Sequence, residues 1–150
     1  MLTLIKKQSP KLKNMNRIKP YAPALIWGIF IFVLSVWPGK DFPTFDWDDL
    51  LSLDKIVHFV FYFLLTGLII LGKNQAKKAG FTSPENRHGV RVSGLFILGT
   101  ALFSAGYGWA LEFIQEHFCT DRLFDVLDGI ANTIGAAGAA IVFSVRWRGK

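Results

Sequence analysis

The chain has 150 residues, enough for one domain, and 51% of them are hydrophobic, with fourteen Phe and five Trp. A soluble domain of this size leaves too much surface in water to hide that apolar material, so an ordinary soluble globule is excluded. The formal charge of +6 does not call for nucleic acid, because the basic residues flank long uncharged apolar runs, the pattern of a membrane protein. The lone Cys119 excludes an intrachain disulfide.

Residues 1–19, with "KKQSPKLKNMNRIK", read as a basic cytoplasmic tail that sets topology. The first apolar run, residues 21–37, is "YAPALIWGIFIFVLSVW", closed by Pro38 and Gly39. No small-x-small cleavage site follows it, so it is a retained transmembrane helix and not a signal peptide. "KDFPTFDWDD" then reads as a solvated or interfacial loop with Trp47 at headgroup depth. The second run covers residues 56–71 and extends backwards through "LLSLDK"; "NQAKKAGFTSPENRHG", which contains His88, follows as a cytoplasmic loop. The third run spans about residues 93–113 and the fourth about 126–145, joined by an outer turn that holds His117 and Cys119. The expected fold is all-α: an integral membrane bundle of four transmembrane helices over residues 20–146, with both termini cytoplasmic.

That orientation follows from the charges. Lys6, Lys7, Lys11, Lys13, Arg17 and Lys19 precede the first run, and Lys73, Lys77, Lys78, Arg87 and Arg91 separate the second from the third. Arg146, Arg148 and Lys150 follow the fourth, so fourteen of the seventeen basic residues fall on one side of a four-span path. Excess Lys and Arg marks the cytoplasmic side, where they also suit anionic headgroups. The acids segregate oppositely: of eleven, only Glu85 belongs to a cytoplasmic loop.

On this topology three helices present polar residues at one level, the outer leaflet. The second helix carries Asp54 and Lys55 at its mouth, His58 one turn deeper and Tyr62 another turn in, on roughly one face. The third ends in "ALEFIQEHF", which places Glu112, Gln115 and Glu116 at its outer end. The fourth descends as "DVLDGIANTIG", with Asp125, Asp128 and Asn132 at spacings of three and four. Small residues at Thr100, Ser104 and Gly108, and at Gly129, Gly135, Ala136 and Ala139, mark the inward faces. A charge near the bilayer centre costs about 2.5–3.5 kcal/mol on insertion scales. Several such groups in one layer therefore imply pairing, neutralisation or a water-filled cavity.

Three blocks of this sequence resemble the signature of the VanZ-like family. They are "DKIVHFVFY" (Asp54, Lys55, His58, Phe59, Tyr62), "EFIQ" (Glu112, Gln115) and "RLFDVLDGIANTIG" (Arg122, Asp125, Asp128, Asn132, Gly135). All three occur in order, although the family's aromatic-Pro pair before the arginine is replaced by "HFCTDR". The resemblance implies a bacterial inner-membrane location and an envelope-facing role; the founding member is associated with resistance to the lipoglycopeptide teicoplanin. It supplies no reaction.

Two functional classes follow. In the first, the outer cavity binds a lipid-linked or amphiphilic envelope molecule, through Asp54, Lys55, Tyr62, Gln115, Arg122, Asp125 and Asn132. In the second, an enzyme acts on a lipid headgroup or wall precursor, with His58, Glu112 and Asp128 as general acid and base. Against both stands a structural ion-pair network that fixes helix register, with Asp54 as a helix N-cap, Lys55 snorkelling to headgroups and Tyr62 as packing. Zinc is disfavoured, since it wants several nitrogen or sulfur ligands, whereas carboxylates suit magnesium or calcium. Membrane lipids are the expected partners, a homo-oligomer is compatible, and a proton or ion pathway ranks below both classes because polar residues fade beyond Asn132.

Overall fold

A computed structural model describes residues 18–37, 47–79, 92–119 and 124–148, with backbone alone for 47–52 and 147–148. Arg122, His88, most of the basic tail and the first outer loop before Trp47 lie outside the described residues. Among the described residues all regular structure is helical. After a single 3-10 turn, Lys19–Tyr21, come α1 (Ala22–Val36), α2 (Trp47–Lys78), α3 (Gly94–Phe118) and α4 (Val126–Arg148). Four helical stretches are long and apolar enough to cross a membrane: Lys19–Val36, Leu53–Lys78, Gly94–Phe118 and Val126–Arg146. The chain is a multi-pass membrane protein.

The helix ends follow local chemistry. Pro23 sits in the first turn of α1, where its missing N–H costs nothing. Trp37 ends α1 in extended conformation (φ −68°, ψ 135°), as expected of a residue that precedes proline. Ser93 caps α3, its hydroxyl accepting the Phe96 N–H at 3.2 Å. Asp125 caps α4 through Oδ1, which accepts the Leu127 N–H at 2.7 Å.

Three boundaries depart from the sequence reading. α2 begins at Trp47, inside the stretch read as a loop, and continues through Lys78, five residues into the stretch read as the next loop. Helix propensity there is not opposed by any Pro or Gly, so the polar turns simply project past the apolar layer. α3 likewise runs to Phe118. His117, placed in a turn by the sequence reading, is instead helical: its ring stacks on Phe113 at 4.0 Å between centroids, and its Nδ1 meets the Phe113 carbonyl at 3.0 Å.

α2 packs most extensively on α4, and α4 next on α3. The α2–α4 crossing is backbone-tight at Gly135, where any Cβ would collide with the Phe59 carbonyl oxygen. α1 leans on this trio through side chains that reach backbone carbonyls: Trp27 Nε1 donates to Phe61 O (3.0 Å), Tyr107 OH to Gly28 O (2.9 Å) and Gln115 Nε2 to Ser35 O (3.0 Å). Two apolar clusters fill the interior. One comprises Ile31, Tyr62, Leu65 and Leu111, the other Ile70, Val92 and Ile97.

The exterior is oilier than much of the interior. Leu25, Ile26, Ile29, Leu98, Leu102, Phe103, Ile134 and Ile141 are exposed, while Thr66, Thr100, Ser104, Glu112, Gln115, Asp128 and Asn132 are buried. That inversion is stable only where the surroundings are hydrocarbon. The bundle is also polar end to end. Pro20 lies against Gly72 and Lys73 over the Phe96 ring at 5.1 Å, so Lys19, Lys73, Lys77 and Lys78 share one end. Asp54, Glu112, Asp125 and Asp128 gather at the other.

Candidate functional site

The acidic end is organised around two side chains of α2. Lys55 stretches its ammonium to α4, where Nζ lies 2.5 Å from Asp125 Oδ2 and 2.5 Å from Asp128 Oδ1, with Asp54 Oδ2 at 3.8 Å. The sequence reading allowed this lysine to snorkel towards headgroups; it turns inward instead. Asp128 occupies the first turn of α4, where the helix dipole favours a carboxylate. Asp125 serves both partners at once: Oδ1 caps the helix while Oδ2 receives Lys55.

One turn deeper, His58 sits between α3 and α4. Its Nδ1 is 2.9 Å from Asn132 Oδ1, an atom that only accepts, so Nδ1 carries the hydrogen. Glu112 Oε1 lies 3.7 Å from the same nitrogen. The other nitrogen, Nε2, faces Asp54 Oδ1 at 3.6 Å and Asp128 Oδ2 at 3.8 Å. A proton or cation at Nε2 therefore meets two carboxylates, one from α2 and one from α4. Three helices thus converge on one imidazole.

Why this convergence holds is visible in the packing. Because Phe59 and Gly135 touch backbone to side-chain-free backbone, His58 and Asn132 are brought within bonding reach. Gly108 plays the matching part on α3: a Cβ there would stand 2.8 Å from Asn132 Cβ and Nδ2. The Asn132 amide is seated over that glycine, one turn from Glu112.

Of the residues singled out from sequence, Asp54, Lys55, His58, Glu112, Asp125, Asp128 and Asn132 lie together. Tyr62 sits just beneath as part of the apolar cluster, its ring centroid 6.4 Å from that of Tyr107. Gln115 turns away, its amide committed to the end of α1. Arg122 lies outside the described residues. Asp54 is no N-cap, since its helix begins seven residues earlier at Trp47; the cap of this region is Asp125. Sequence reasoning missed Thr66, which lies two turns beyond His58 and is fully buried. Its i+8 spacing was the available signal.

Asp54, His58 and Asp128 can each offer one ligand atom, all within 4.8 Å of one another. One nitrogen and two carboxylates fit a hard divalent cation better than zinc. Lys55 takes Asp54 Oδ2 and Asp128 Oδ1, while Asp54 Oδ1 and Asp128 Oδ2 are the oxygens that face His58 Nε2.

Among described residues the site holds no serine, threonine or cysteine beside His58 in a nucleophile–base pair. The surrounding helix faces are apolar, with Leu53, Ile56, Val57, Val126 and Leu127 exposed next to it.

No curated protein and no solved structure matches the chain. A family model does, over residues 3–147, taking in most of the basic N-terminal stretch as well as all four helices. With nearly the full length covered, the chain belongs to the VanZ/LLP1 family.

Proposed function

We propose that the acidic end binds the polar head of an amphiphilic or lipid-linked envelope molecule while its apolar part stays in the surrounding bilayer. The observation that carries this reading is the pooled charge: four carboxylates from three helices surround one lysine and one histidine at a single helix-bundle end. That excess of negative charge suits amines, sugar hydroxyls or a cation-bridged phosphate. The apolar residues around the rim suit the ligand's tail. The lysines at the opposite end support an inner-membrane protein whose acidic end faces the envelope, and a lipoglycopeptide such as teicoplanin has the required amphiphilic chemistry.

Binding is tested with purified protein in nanodiscs, titrated with a polyprenyl-linked wall precursor and, separately, with teicoplanin. Binding above that of bulk phospholipid, lost in Asp128→Asn and His58→Ala well beyond any fall in thermal stability, is the expected outcome. If those variants lose binding only as far as they lose stability, the cluster is a structural network and the reading fails.

A specific observation keeps an enzymatic reading in view: His58 Nε2 faces two carboxylates while Nδ1 is held by Asn132. That is the geometry of an oriented general base. Turnover of a labelled headgroup by the native protein, abolished in His58→Gln with binding retained, would decide for catalysis; a chelator arm tells whether Asp54, His58 and Asp128 hold a divalent cation while it proceeds.

A further inference from the structure

Beneath the site the buried interior is more polar than its neighbours in sequence suggest. Thr66 Oγ1, Ser104 Oγ and Asn132 Nδ2 are buried and have no hydrogen-bond partner, and all three residues are 0% exposed. They come from α2, α3 and α4 respectively. Thr66 lies eight residues beyond His58 and Ser104 eight residues before Glu112. His58 and Glu112 are 3.7 Å apart on antiparallel helices. Equal offsets therefore bring Thr66 and Ser104 to one depth, about 12 Å further in. Asn132 Nδ2, seated over Gly108, lies between that level and Glu112.

Other hydroxyls of the bundle behave differently. Thr100 Oγ1 donates to Phe96 O at 2.8 Å, and Thr133 Oγ1 to Gly129 O at 2.8 Å, the usual solution for a hydroxyl in a membrane helix. Thr66 and Ser104 do not take it. A buried polar group left unpaired costs about 1–3 kcal/mol, and a buried water that finds two to four polar partners removes that cost. Below this level the interior closes: Ile70, Val92 and Ile97 form a buried apolar layer with Phe96, Ala140 and Phe143 against it.

We propose that a blind, water-filled shaft runs inward from the acidic site between α2, α3 and α4, lined by Asn132, Ser104 and Thr66 and floored by Ile70, Val92 and Ile97. Its ligand is water. It hydrates the inner side of the His58–Glu112 pair, and the apolar layer at Ile70 separates it from the next buried polar atom, Asn74 Oδ1, one turn further along α2. The shaft exists in the resting protein, so it does not depend on what the site binds.

The test is S–H to S–D exchange by infrared spectroscopy in D2O. Single cysteines are placed by Ser104→Cys, Thr66→Cys and Ile70→Cys in a Cys119→Ser background, in liposomes without added ligand. Exchange at positions 104 and 66 at least about tenfold faster than at 70 is expected. Equally slow exchange at all three shows a dry interior, and equally fast exchange at all three shows general opening of the bundle; either overturns the shaft. Should the cysteine variants not fold, Thr66→Val in the native chain decides. A lowered unfolding temperature supports a lost water site, and an unchanged or raised one refutes it.

Discussion

Lys55 brings one ammonium into contact with Asp54 on its own helix and with Asp125 and Asp128 on α4, so its loss leaves like charges facing one another. Breaking a fully buried pair by removing one partner costs roughly 3–5 kcal/mol, and partial exposure of Lys55 and Asp125 lowers this to about 2–3 kcal/mol. Lys55→Met should therefore lower the unfolding temperature in detergent, and Lys55→Met with Asp128→Asn should recover part of the loss, a coupling that a double-mutant cycle measures. Additive effects would show that the contact is not energetically real. Asp125 adds a pH dependence. The Lys55 hydrogen bond, helped by the Leu127 N–H and opposed by burial, holds its carboxyl below the ordinary value of 3.8. The folded value is depressed, so the contribution is complete above that ordinary value and is lost as pH falls below it. Acid unfolding followed by circular dichroism should show a destabilising limb below about pH 4 that shrinks in Asp125→Asn and in Lys55→Met. The aspartate in front of an apolar run was a legible cap signal at Asp125. The sequence reading gave that role to Asp54 because it took the preceding acids for a loop.

At the level of elements, the glycines of the three converging helices differ in what a methyl group would meet. At Gly135 a Cβ strikes the Phe59 carbonyl, which is backbone and cannot rotate aside. Gly135→Ala should force α2 and α4 apart and destabilise by the order of 1–3 kcal/mol typical of overpacking. At Gly108 the obstacle is Asn132, whose amide can turn away but whose Cβ, also 2.8 Å off, is fixed to the α4 backbone; Gly108→Ala should therefore destabilise as well as break the His58–Asn132 hydrogen bond, so binding falls further than the unfolding temperature. Gly99→Ala, with open space around it, is the control and should be neutral or slightly stabilising through helix propensity. Thermal unfolding and ligand titration of all three variants check the order; equal behaviour of Gly135→Ala and Gly99→Ala would sink the argument. The four apolar runs announced the helices, because hydrophobicity over a span's length is a strong local signal. Their ends were less legible. α2 gains nearly one turn at Trp47–Asp49 and a little more than one at Asn74–Lys78 because polar residues outside hydrocarbon carry no penalty for staying helical. The docking of α1 was not legible at all: Trp27, Tyr107 and Gln115 reach carbonyls 34, 79 and 80 residues away, and no local pattern encodes such pairs.

Across the whole molecule, charge is sorted by end. Lys19, Lys73, Lys77 and Lys78 stand at the end where α1 begins and α2 finishes, while the carboxylates and His58 stand at the other. The order of blocks in the sequence was enough to anticipate this sorting; the distances within the cluster were not, since they depend on how closely Gly135 and Gly108 let three backbones approach. An even number of antiparallel spans puts both ends of the chain on one side, and we propose from the basic loops that this side is the cytoplasm. A fluorescent protein fused after residue 150 should therefore fluoresce, and alkaline phosphatase fused there should be inactive, whereas phosphatase fused after Cys119 should be active. The reverse pattern would turn the acidic end towards the cytosol and remove the envelope from the list of places its ligand can come from. Because Asp and Glu contribute little to insertion, the acidic end does not set this orientation. Neutralising Lys73, Lys77 and Lys78 together should give mixed reporter signals, while neutralising Asp54, Asp125 and Asp128 should leave topology unchanged and affect only stability and binding.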